Sequence, residues 1–126
     1  MKHLILLSIL FILLSCSIDS SNDLPDPHPA NAEIIKSVNF DEDSVNFTVV
    51  SSVPQPCYSF ASSKIESSNE VVNITIYIQR QTNDPCPDMV SSIESDITVP
   101  VGSGNTYLFK FWKYNETTLD TTIFIP

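Results

Sequence analysis

Residues 57–86 read CYSFASSKIESSNEVVNITIYIQRQTNDPC, and their pattern decides the fold. After Ser67-Ser68-Asn69, the residues Val72, Ile74, Ile76 and Ile78 alternate with Asn73, Thr75, Tyr77 and Gln79. A period of two is the signature of a strand with one dry face and one wet face. The polar triplet separates two runs of β-branched and aromatic residues, so the stretch predicts a β-hairpin with a cysteine near each open end. With the turn centred near Ser68, Cys57 falls opposite about Gln79 or Arg80. Cys86 is a short loop further on, and a Cys57–Cys86 disulfide is expected. Closing a loop of this length contributes on the order of 3–4 kcal/mol in the chain-entropy model.

Working outward, the same strand-and-turn pattern repeats. Ile34, Lys36, Val38 and Phe40 begin a first strand, Asp41-Glu42-Asp43 turns the chain, and Val45, Phe47 and Val49 mark the inner face of a second. Val53-Pro54-Gln55-Pro56 is a breaker, because two prolines cannot join a central ladder. Tyr58 and Phe60 are expected in the core from the hairpin's first arm. Beyond the hairpin, Met89 to Ile93 has no clear pattern. Asp96 to Val101 reads as a short strand with Pro100 at an edge or end, and Gly102-Ser103-Gly104-Asn105 is a turn. Tyr107, Phe109 and Phe111 then alternate with Leu108, Lys110 and Trp112, and after Asn115-Glu116-Thr117 a last strand closes the sheet. About seven strands with no amphipathic helix predict an all-β fold: a single antiparallel sandwich that resembles the immunoglobulin and fibronectin type III kind. A small barrel is the other architecture such a pattern allows.

The formal net charge is −9, from 15 acidic and 6 basic side chains. Nothing here could neutralise a run of phosphates, so no nucleic-acid partner is expected. Only Gly102 and Gly104 are glycines, too few for a phosphate-cradling loop. The two histidines, His3 and His28, lie ahead of the strand pattern, so the domain has no Ser-His-Asp or Cys-His set and no His-based zinc site. Asp41, Glu42 and Asp43 are consecutive and point to alternate faces on an extended chain. Asp84 and Asp88 flank Cys86 and are the better cation candidates, but neither group makes a calcium loop. No catalytic residues, no metal ligands and no cofactor are expected, and the chain reads as no enzyme.

The N-terminus reads as an address. Lys2 and His3 precede an apolar run from Leu4 to Leu14 that is too short to span a bilayer. Leu13-Leu14-Ser15-Cys16 resembles the lipobox of bacterial lipoproteins, in which the chain is cut before a cysteine that receives a lipid. That resemblance implies that residues 1–15 are a signal peptide and that Cys16 is the lipidated membrane anchor. It also implies a cell-envelope location, at the outer membrane, where disulfides persist. Residues 17–32, SIDSSNDLPDPHPANA, hold little that could be buried. Residues 16–32 are therefore expected to form the lipidated cysteine and a disordered tether, with the sandwich over residues 33–126. Asp19 and Asp23, close behind Cys16, loosely resemble the export signal of surface lipoproteins in Bacteroidetes.

What remains is a possible contact surface. Tyr77, Trp112 and Tyr114 fall on the face opposite the predicted core residues of their strands, and exposed aromatics on a sheet suit a protein or glycan partner. The expected function is a lipid-anchored, non-catalytic binding or accessory module. The alternative is a lipid-anchored inhibitor of an exported protease, using the disulfide-fixed loop of residues 82–88.

Overall fold

The computed structural model describes residues 24–126. The expected signal peptide and Cys16 lie outside the described residues. Eight strands run in order: β1 (His28–Pro29), β2 (Asn31–Phe40), β3 (Ser44–Val53), β4 (Tyr58–Ser68), β5 (Val71–Arg80), β6 (Ser91–Pro100), β7 (Thr106–Trp112) and β8 (Thr118–Phe124). They form two sheets, and the fold is an all-β sandwich. The smaller sheet has the order β2-β3-β6, and the larger one runs β4-β5-β7-β8 with β1 added on β5.

The core is the strict alternation of the strands made solid. In β3, Val45, Phe47, Val49 and Val53 are buried; in β5, Val72, Ile74, Ile76 and Ile78 are; in β7, Phe109 and Phe111 are. Phe47 joins the two sheets: its ring meets Phe109 at 4.8 Å and Phe111 at 5.2 Å, both edge-on. Such pairs add to the area they bury. Ser51 Oγ and Ser95 Oγ sit in this apolar layer, on the inner face of the smaller sheet, without a partner among the described residues.

One pairing departs from the antiparallel expectation. After β5 the chain crosses to the smaller sheet as β6 and returns as β7, so β5 and β7 point the same way and pair in parallel, Val71↔Leu108 to Ile74↔Phe111. Only the first part of β5 is covered on that edge by β7. The rest is taken by β1, with His28↔Ile78 and Pro29↔Tyr77, and Ala30 N–H donates to Ile76 O at 2.8 Å.

This corrects the expected domain boundary. Residues 28–32 are part of the fold: Ala30 and Ala32 are 0% and 1% exposed, and β2 starts at Asn31. The segment joins through backbone hydrogen bonds and two small side chains, which a hydropathy pattern does not register. Without it, buried backbone groups of a central strand would lack partners. The ambiguous stretch before Asp96 is also resolved, since β6 begins at Ser91 and pairs along its whole length with β3. Phe60 is 40% exposed on edge strand β4, while Tyr58 packs against the core.

Candidate binding face

The hairpin forms as expected, β4 against β5 from Ser68↔Val71 to Tyr58↔Arg80. Asn69 takes a positive φ of 56° at its turn, a conformation that asparagine tolerates better than most residues. A bulge between Phe60 and Ser62 shifts the register by one, which brings Cys57 level with Gln81, whose N–H donates to Cys57 O at 3.4 Å. The disulfide Cys57–Cys86 is present, with its Cα atoms 6.0 Å apart. It ties the start of β4 to the loop after β5. Arg80 also holds that loop, donating from Nη2 to Asp84 O at 2.5 Å.

The expected contact residues divide. Trp112 and Tyr114 come together, ring centroids 5.2 Å apart and nearly perpendicular. Trp112 is half-buried on the outer face of the larger sheet, and Tyr114 is 48% exposed just beyond it. Tyr114 is held by the turn after β7: its N–H donates to Asn31 Oδ1 at 3.0 Å, and its carbonyl accepts from Thr117 Oγ1 at 2.8 Å. Asn115 and Glu116 at that turn both have positive φ, 61° and 57°. Tyr77 is half-buried beside Pro29 of β1 and makes no ring pair with Trp112 or Tyr114.

Beside Trp112 the outer face carries residues that sequence reasoning did not single out. Strand pairing sets Glu66, Asn73, Lys110 and Asp120 in one row across all four long strands of the sheet. In the next row Lys64 faces Thr75, and Trp112 faces Thr118. Between the rows is an open depression of about 240 Å³, lined by Glu66, Asn73, Ile74, Thr75, Lys110, Trp112 and Thr118. Glu66 is 3.2 Å from Lys64 Nζ, and Asp120 accepts a hydrogen bond from Thr118. Asn73, Thr75 and Lys110 engage no other side chain among the described residues. The available signal was the outward half of each alternation, but which strands lie side by side was not readable from it.

Among the described residues, no three His, Cys, Asp or Glu side chains are grouped to hold a metal ion. The turn of Asp41, Glu42 and Asp43 is exposed, with Asp41 accepting from Asn46 Nδ2 at 2.6 Å. Asp84 and Asp88 lie in the exposed loop around Cys86.

No family model, curated protein or solved structure matches this chain.

Proposed function

We propose that this protein is a lipid-anchored, non-catalytic binding module of the cell envelope that presents the outer face of its larger sheet to a partner. One observation carries the reading: Trp112, paired edge-on with Tyr114, lines a depression whose polar side chains Asn73, Thr75 and Lys110 are not spent on each other. Aromatic anchors ringed by polar groups are what a contact surface needs. The lipid anchor rests on the lipobox-like Leu13-Leu14-Ser15-Cys16.

Chain direction bears on the inhibitor alternative. Leu24 lies beside Gln81, Thr82, Asn83 and Asp84, so the anchored end of the sandwich is also the end that carries the disulfide loop. Leu24 follows Cys16 by eight positions, a span of at most ~28 Å fully extended. A lipid on Cys16 therefore keeps that loop near the bilayer, an awkward place from which to enter a protease active site. The outer face of the larger sheet runs along the flank of the sandwich and stays accessible.

Intact mass of the protein purified from native membranes tests the anchor. The expected species begins at Cys16 and carries acyl chains. A soluble chain without lipid overturns the address.

A further inference from the structure

Resting on that reading, we infer that the depression between Glu66 and Trp112 binds a neutral glycan, with a pyranose ring laid against the Trp112 indole. The occupant follows from the lining. A pyranose with mostly equatorial hydroxyls has faces of C–H groups that complement the electron-rich face of an aromatic ring. Its rim is a ring of hydroxyls, each both donor and acceptor. The depression matches that rim with both kinds of group. Asn73 offers a carbonyl and an NH2, Thr75 and Thr118 offer hydroxyls, Lys110 is a donor and Glu66 an acceptor.

Size and charge agree. At about 240 Å³ the depression falls below the ~300–1,000 Å³ of sites that engulf a drug-sized ligand. It is open along the sheet, which suits a chain of sugars crossing the strands with one ring seated. A protein partner would call for a larger continuous apolar patch, whereas the row Glu66, Asn73, Lys110, Asp120 is polar from edge to edge. An anionic polysaccharide meets a protein of net charge −9 and is disfavoured.

Trp112 is the single tryptophan of the chain, so its emission reports on the site directly. The full-length protein in detergent micelles is titrated with xylohexaose, cellohexaose and maltohexaose, and with oligogalacturonate as the anionic control. The expected result is a saturable change in emission with at least one neutral oligosaccharide, and amide shifts in nuclear magnetic resonance spectra confined to β4, β5, β7 and β8. By those amide shifts Trp112→Ala weakens binding by about tenfold or more, the scale of one lost aromatic anchor. Asn73→Ala weakens it less, and Thr48→Ala on the opposite sheet leaves it unchanged. No response to any neutral oligosaccharide at millimolar concentration overturns the inference, as does a response to oligogalacturonate alone. The binding-module reading fails separately. It falls if, in addition, Trp112→Ala leaves the protein's cross-linked neighbours on native cells unchanged.

Discussion

The outer faces of the two sheets differ in where, among the described residues, their polar side chains find side-chain partners: across strands on the smaller sheet, and only within a strand on the larger, as in Lys64–Glu66 and Thr118–Asp120. On the smaller sheet, polar side chains meet across the strands: Thr48 donates to Asp96 at 2.7 Å, Thr98 to Asn46 at 2.6 Å, and Lys36 pairs with Glu94 at 2.5 Å. Thr48 stands directly opposite Asp96 in register, and Asn46 opposite Thr98. On the larger sheet the corresponding positions hold Asn73, Thr75 and Lys110, without side-chain partners among the described residues, next to an indole. Backbone strain divides the same way. Among the described residues, the three non-glycine residues with positive φ, Asn69, Asn115 and Glu116, lie in hairpin turns of the larger sheet, and none lies in the turn between β2 and β3. Polar side chains that meet across strands help to hold the smaller sheet together, whereas Asn73, Thr75 and Lys110 are left to solvent.

The largest expected effect concerns the covalent tie. Among the described residues only the larger sheet is cross-linked, through Cys57–Cys86. Replacing both cysteines by alanine lowers stability by about 3–4 kcal/mol, read from urea unfolding. Hydrogen exchange then accelerates more at the β4–β5 edge than in β3. Equal acceleration in both sheets would show that the disulfide does not distinguish them.

A smaller effect sets the two faces against each other directly. Asp96→Ala removes the acceptor of Thr48 and costs about 0.5–1 kcal/mol, the usual net worth of such a bond. Asn73→Ala removes no intramolecular partner and changes stability by less than about 0.5 kcal/mol. Comparable losses for the two substitutions, measured by the same urea titration, would erase the contrast between a satisfied and an open face.

Much of this was legible in the sequence, and the rest was hidden for identifiable reasons. The inward sets of β3, β5 and β7 follow from their alternation, and the breaker at Pro54 and Pro56 and the disulfide follow from residue type and spacing. β2 blurs its own pattern, because bulges between Ala32 and Ile34 and between Ile35 and Ser37 shift the register; Ile34 ends 59% exposed as a result. β6 hides its first half because Ser91, Ser92 and Ser95 put small polar residues on both faces, Ser95 even in the core. β1 carries no hydropathy signal at all. The depression was out of reach for another reason. Asn73 and Lys110 become neighbours only through the parallel pairing of β5 and β7, a non-local register that no local pattern encodes.

A gain rather than a loss is the sharpest test of why the larger sheet carries strain. A β-hairpin turn with two successive positive φ values favours Asn followed by Gly, and here Asn115 is followed by Glu116. The left-handed conformation costs a side-chain-bearing residue roughly 1–2 kcal/mol, and glycine returns about half of that in extra backbone entropy lost on folding. Glu116→Gly is therefore expected to raise stability by about 0.5–1 kcal/mol. It also frees the turn that holds Tyr114 against Trp112, so the emission of the single tryptophan should shift and glycan affinity should fall. Higher stability with unchanged affinity would mean that the strain serves nothing on this face. Lower stability would mean that Glu116 makes up for its backbone conformation through its side chain.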